Sequence, residues 1–169
     1  GLNSLLAAKL SGAARIVALD VLEDKLALAR DLGATDAFNA ADPDCAARVR
    51  EATRGGVDFA FEMAGSVKAM DIAYHVTRRG GMTVTAGLSH PDHTFHVSHV
   101  SLVAEERTVK GSYIGGCVPS RDLARYIALY QQGRLPVDRL MSGRIGFDGL
   151  NAAFDRLAAG HAVRQVLIP

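Results

Sequence analysis

Apolar positions along this chain switch repeatedly between two spacings, steps of three or four residues and unbroken runs of strand length. Leu2, Leu5, Leu6 and Leu10 fall on one helical face, with Gly12 as the stop. Residues 15–20 form a short apolar run. Leu22, Leu26, Ala29 and Leu32 return to helical spacing and close at Gly33, and Phe38 marks a brief strand. Asp42-Pro43 reads as an N-cap followed by proline in the first helical turn, for a helix running to about Arg54 and ending at Gly55-Gly56. Residues 57–62 are strand-like. Ser66 is expected to cap a helix through about Thr77, stopped by Gly80-Gly81, and residues 82–86 form a strand ending at Gly87. Beyond a loop containing Pro91, a short helix is expected around 100–106 and a strand over 108–114. Ser120 caps a helix ending at Gly133, another helix covers about 149–159, and a last strand covers 163–168.

Apolar strands alternating with helices of about ten residues imply crossover connections and a mostly parallel sheet covered by helices on both faces. The expected fold class is α/β, doubly wound. The chain opens on a helix, with no strand ahead of it.

Composition narrows the function classes. With 169 residues, 49% of them hydrophobic, there is material for one domain with a real core. A net charge of +1 argues against a nucleic-acid binder working through a basic surface. Cys45 and Cys117 are too few for a disulfide framework or a four-ligand zinc site, and suit a reducing, cytoplasmic compartment. Lys9, Arg15 and Asp20 interrupt the most apolar stretch, so no membrane association is expected. Because it begins at Gly1 and not at methionine, the chain is expected to belong to a longer polypeptide.

Asp20 is the strongest candidate for chemistry. In doubly wound dinucleotide folds a glycine-rich turn joins the first strand to the first helix, and an acidic residue follows about twenty residues later. Gly1 stands where the third glycine of such a turn would be, and Asp20 where the acid would be. A carboxylate there accepts hydrogen bonds from both hydroxyls of an adenosine ribose and repels a 2′-phosphate. It serves equally to cap the helix that begins near Leu22. His90, His93, His96 and His99 recur every third residue, but Pro91 breaks regular helix and no cysteine or glutamate joins them. They are expected to form a polar surface loop, not a metal site.

Ordered segments along nearly the whole chain resemble the zinc-dependent medium-chain alcohol dehydrogenases. They are Gly1-Leu2-Asn3, Gly12-Ala13-Ala14-Arg15-Ile16, Asp20 with Asp24-Lys25, Leu32-Gly33-Ala34-Thr35, and Gly56-Val57-Asp58-Phe59-Ala60-Phe61-Glu62. Gly80-Gly81, Ala86-Gly87, Lys110-Gly111-Ser112, Gly115-Gly116 and Val163-Arg164-Gln165-Val166-Leu167 follow in the same order. The resemblance implies a Rossmann-type fold and an oxidoreductase that moves hydride between an alcohol and NAD to give an aldehyde or ketone. By the same resemblance Asp20 and Lys25 bind the adenosine ribose, Met63 and Ala64 contact the nicotinamide side, and Gly87 and Leu88 hold the carboxamide and nicotinamide ribose. Ile114 lies near the same end, and Arg164 reaches a pyrophosphate oxygen. Each also has a plainer reading. Lys25 and Arg164 suit solvated surface positions, Met63 and Leu88 suit a core, and Gly87 suits the end of a strand.

The resemblance covers roughly the C-terminal half of such enzymes. It implies that the zinc ligands precede this chain, so no catalytic or metal-ligating residue is expected here and no dehydrogenase activity from the chain by itself. Residues 1–113 are expected to form the dinucleotide-binding domain without its first strand, and 114–169 a segment that packs back on the catalytic domain and otherwise exposes apolar surface. That first strand is expected from another segment or chain, or from sequence missing here. Edge pairing through 108–114 would give a homo-oligomer. Three alternatives stay open: a zinc-free NAD(P)H quinone or enone reductase of the same superfamily, a non-catalytic nucleotide-binding module, and a methyltransferase.

Overall fold

The computed structural model describes residues 1–169. Helix α1 (Leu2–Leu10) buries Leu5 and Leu6, and strand β1 (Val17–Asp20) follows. Side chains of a strand alternate between faces, and here each face meets its own core. Ile16 and Ala18 pack with Leu5, Leu6, Ala29, Leu32 and Leu140, while Val17 and Leu19 pack with Cys45, Val49, Ala60, Ala73 and Val76. Helix α2 (Glu23–Leu32) supplies Ala29 and Leu32 and ends at Gly33, whose φ of 116° gives the left-handed cap that glycine adopts without strain. Strand β2 (Asp36–Asn39) pairs parallel with β1, from Val17 opposite Asp36 to Asp20 opposite Asn39.

Helix α3 (Cys45–Ala52) starts two residues later than the Asp42-Pro43 signal suggests. Asp42 instead closes a turn: its Oδ1 accepts the Asp44 N–H at 2.9 Å, and Arg48 pairs with its other oxygen. Strand β3 (Val57–Glu62) and helix α4 (Val67–Val76) follow. The largest departure comes next. Strand β4 (Thr77–Thr85) begins directly at the end of α4, so Gly80-Gly81 lie inside a strand and are not a helix stop. Thr77 ends the helix itself. Its backbone is extended, its N–H donates to the Tyr74 carbonyl, and its buried hydroxyl bonds Ala73 O at 2.7 Å and Thr83 Oγ1 at 2.8 Å. The glycines accommodate a bulge, across which pairing jumps from Val57–Thr77 to Phe59–Met82.

Helix α5 (His99–Ala104) leads to strand β5 (Thr108–Gly111), which stops short of residue 114 because Ile114 turns to φ 50°. Helix α6 (Pro119–Gln131) has Pro119 at its start, where the missing N–H costs nothing. Val118 is therefore the N-cap and Ser120 lies within the helix. Strand β6 (Gly143–Ile145), which the hydrophobic pattern did not announce, pairs parallel with β7 (Gln165–Leu167) around helix α7 (Leu150–Ala158).

All pairing is parallel, in three ladders: β1–β2, β3–β4–β5 and β6–β7. The expected cover on both faces holds for β1 but not for β3, where Phe59 and Phe61 are 60% and 52% exposed. Helix α6 has no buried residue and leaves Leu123, Tyr126, Ile127 and Tyr130 open at helical spacing, and α7 exposes Phe154 and Leu157. Apolar side chains of α6 and α7 are thus exposed. The C-terminal segment also anchors on α1 and α2 through Leu140, an Arg139–Asp31 ion pair at 2.5 Å, and the Ala162 carbonyl, which accepts from Lys25 Nζ at 3.0 Å.

Candidate functional site

Parallel strands bring their carboxyl ends to a common edge, and here that edge carries Asp20, Glu62, Thr85 and Gly111 as the last residues of β1, β3, β4 and β5. Gly1 stands at the N-cap of α1.

Asp20 is half-buried at this edge. Its Oδ1 accepts the Leu22 N–H at 3.1 Å and its carbonyl accepts the Ala40 N–H at 2.9 Å. Asp20 therefore does not cap α2, whose N-cap is Leu22 with no side-chain cap bond; it closes a turn ahead of the helix, which occupies one of its two carboxylate oxygens. Lys25, in the first turn of α2, spends its ammonium on the Ala162 carbonyl.

The tightest packing lies where β3 and β4 end. Glu62 is 4% exposed, and its Oε1 accepts the N–H groups of Ala64 and Gly65 at 2.6 and 2.7 Å. Its Oε2 accepts the Thr85 hydroxyl at 2.7 Å. This carboxylate therefore fastens the loop 63–65 to β4 at three points. The two loops then touch through backbone alone: a Cβ on Gly87 would lie 2.1 Å from Gly65 N, and one on Gly65 would lie 2.5 Å from the Leu88 carbonyl oxygen. Met63 is half-buried beside this knot, and Ala64 and Leu88 are exposed on it.

The structure thus places Asp20 on one side of the edge and Met63, Ala64, Gly87 and Leu88 on the other, with Gly1 at the N-cap of α1. Ile114 stands exposed just past β5. Arg164 belongs to the separate β6–β7 unit, where its backbone N–H and carbonyl are held by Ser142 while its side chain is exposed. Glu62, Gly65 and Thr85 were not among the residues singled out from the sequence as site residues. An acid closing a strand after the apolar run Phe59-Ala60-Phe61, three residues ahead of a glycine, was the available signal.

His90 and His93 lie in an exposed loop with ring centroids 5.4 Å apart, and no three His, Cys, Asp or Glu side chains of the chain converge as metal ligands. A cleft of about 330 Å³, lined by Leu6, Lys9, Leu32 and Arg139 among others, sits at the C-terminal ends of α1 and α2 and so at the opposite edge of the sheet.

Residues 1–132 match the family described as zinc-binding dehydrogenase. The chain is 35% identical over 172 residues to an NDMA-dependent alcohol dehydrogenase of Amycolatopsis methanolica, covering 99% of this chain and 46% of that protein. It is 32% identical over 170 residues to alcohol dehydrogenase 1 of Trifolium repens, covering 99% of this chain and 44% of that protein. Among solved structures, benzyl alcohol dehydrogenase from Acinetobacter calcoaceticus superimposes with a TM-score of 0.94 at 32% identity, over 99% of this chain and 46% of that one. The chain spans under half the length of these relatives. With a parallel α/β fold of this kind and a family match over most of its residues, the chain belongs to the zinc-binding dehydrogenase family.

Proposed function

We propose that this chain is the coenzyme-binding part of an NAD-dependent zinc alcohol dehydrogenase, which interconverts a small alcohol and its aldehyde or ketone. The observation that carries the proposal is the carboxyl edge itself, where a half-buried acid with one free oxygen shares the edge with two loops packed glycine backbone against glycine backbone. These residues fit an NAD molecule. Asp20 keeps its Oδ2 for the ribose hydroxyls, a carboxylate disfavours a 2′-phosphate there, and the backbone-to-backbone packing of Gly65 on Gly87 holds the two loop ends in fixed places for the nicotinamide half. Bound NAD supplies the hydride acceptor. The chain's own residues bind and orient it. Asp20 holds the adenosine ribose. Lys25 adds a cation beside that sugar when its Nζ exchanges the Ala162 carbonyl for a hydroxyl. Met63, Ala64, Gly87 and Leu88 form the wall and backbone partners of the nicotinamide half, Ile114 flanks that end, and Arg164 meets the pyrophosphate.

The zinc of such an enzyme is assigned to ligands outside this chain, whose own side chains do not fit a metal centre. On this reading residues 1–113 are the dinucleotide-binding domain and 114–169 the segment that packs on the catalytic domain. Two free cysteines, one of them buried, fit a reducing cytoplasm. Strand β5 is exposed along its whole length and lies at the edge of its ladder, which favours a homo-oligomer formed by edge pairing. Val109→Pro is expected to lower the mass measured by light scattering, and an unchanged mass would remove β5 from the interface.

The decisive measurement is titration of the full-length protein with NADH and NADPH. NADH is expected to bind at least tenfold more tightly, and Asp20→Asn, which keeps an acceptor for the Leu22 N–H, is expected to erase most of that preference. Equal affinity for both coenzymes in the unaltered protein would overturn the assignment. This chain alone is expected to turn over no alcohol, and zinc-dependent turnover by it would contradict the division of labour.

A further inference from the structure

The carboxylate of Glu62 is built into the edge of the sheet, yet nothing in the proposed binding roles uses it. Its position is unusual for an acid: almost fully buried, at the end of a strand, with every contact made to a loop or a neighbouring strand end and none to a cation. Two of its three donors are backbone N–H groups of consecutive residues, Ala64 and Gly65, received by a single oxygen. Such a pair fixes the course of the chain after β3 and turns Gly65 into the left-handed conformation at φ 69°. The third donor, Thr85, lies two residues before Gly87, and Glu62 Oε2 would stand 3.0 Å from a Cβ at Gly87. One side chain therefore sets two loops at once and holds them in contact.

We propose that Glu62 is a positioning residue for the nicotinamide half of the coenzyme, holding the 63–65 and 87–88 loops in register so that their backbone groups are already placed before coenzyme arrives. The inference rests on the coenzyme reading above and deepens it at one end of the site. A charged acceptor makes stronger hydrogen bonds than a neutral one. Replacing the carboxylate by an amide of the same size therefore loosens both loops without opening a cavity. The adenosine end, at Asp20 on β1, belongs to a different ladder and makes no hydrogen bond to Glu62.

The test separates the two halves of the coenzyme. In the full-length protein, Glu62→Gln is expected to weaken NADH binding roughly tenfold while leaving AMP binding within about twofold. Thr85→Val, which removes only the hydroxyl bond, is expected to do the same with a smaller loss of roughly threefold, and it serves if the glutamine variant fails to fold. Equal weakening of NADH and AMP marks a general structural role and overturns the proposal, as does unchanged NADH affinity in both variants. Failure of the unaltered protein to bind NADH and AMP at all would instead bring down the coenzyme reading itself.

Discussion

Gly87 and Gly65 come so close that a methyl group on the first would lie 2.1 Å from the backbone nitrogen of the second. No side-chain rotation relieves such a contact, because both partners are main chain. Gly87→Ala is therefore expected to push the 63–65 loop off Glu62, at a cost of about 1–3 kcal/mol in stability. Denaturant melts give the first number and NADH titration the second, with at least a tenfold loss of affinity expected from the displaced loops. A variant that melts and binds like the parent would show that the loops yield freely.

Arg107 ties α4 to the approach of β5. Its side chain is 6% exposed, its guanidinium lies 4.6 Å from the Tyr74 ring centre, and it bonds both the Tyr74 carbonyl and the Glu105 carboxylate. Arg107→Ala leaves a half-buried carboxylate and a helix-end carbonyl short of partners, so a loss of roughly 2–4 kcal/mol is expected in denaturant unfolding. Arg107→Lys should recover only part of it, since one ammonium cannot reproduce the guanidinium fork.

Acid sensitivity has a local source between β1 and β2. Arg15 makes a two-pronged contact with Asp36 at 2.8 and 2.6 Å, and the Thr35 hydroxyl adds a third bond. The arginine first and the threonine second bring the Asp36 carboxyl from 3.8 down to about 2. A depressed carboxylate stabilises the fold above its unfolded pKa and loses that contribution as pH falls through the folded one. Melting temperature is thus expected to drop between about pH 4 and about pH 2, with a shallower drop in Arg15→Gln. Parallel pH profiles for parent and variant would place the acid transition elsewhere.

Lys25 joins α2 to the C-terminal segment through the Ala162 carbonyl. Lys25→Met keeps the apolar stem but removes the donor. Amide exchange is expected to rise at residues 160–164 and to stay unchanged within α2, whose Leu26, Ala29 and Leu32 remain buried. If the same lysine serves the adenosine ribose, NADH affinity should fall as well, by roughly three- to tenfold. Unaltered exchange at 160–164 would show that the bond carries no weight.

Much of this was legible in the chain because the relevant forces are local. Period-three spacing located α1 and α2, left-handed Gly33 closed the second, and Val57–Glu62 stood out as an apolar run. Asp20 fell at the end of β1, at the edge where an acid facing ligand would have to be. Signals failed where one residue had two possible employers. Asp42 closed a turn and did not cap α3, and Thr77 ended α4 through tertiary bonds that left Gly80-Gly81 to the strand. Ser120 lost the cap to the residue before Pro119. Strand β6 is three residues long and depends on β7, some twenty positions away, so no local pattern announces it. The role of Glu62 was hidden for a similar reason: an acid at a strand end looks like surface until its three donors are known.

The second core joins two ladders that share no backbone hydrogen bond. Val17 and Leu19 of β1 and Ala60 of β3 pack in one cluster with Cys45, Val49, Ala73 and Val76 of the α3–α4 layer. The span from Asp20 to Gly87 therefore also depends on the hydrocarbon bulk packed beneath it. Trimming a methyl group at the solvent-free Val49 would move one end of the binding edge relative to the other, and a residue far from any ligand would then tune how well a two-ended molecule fits.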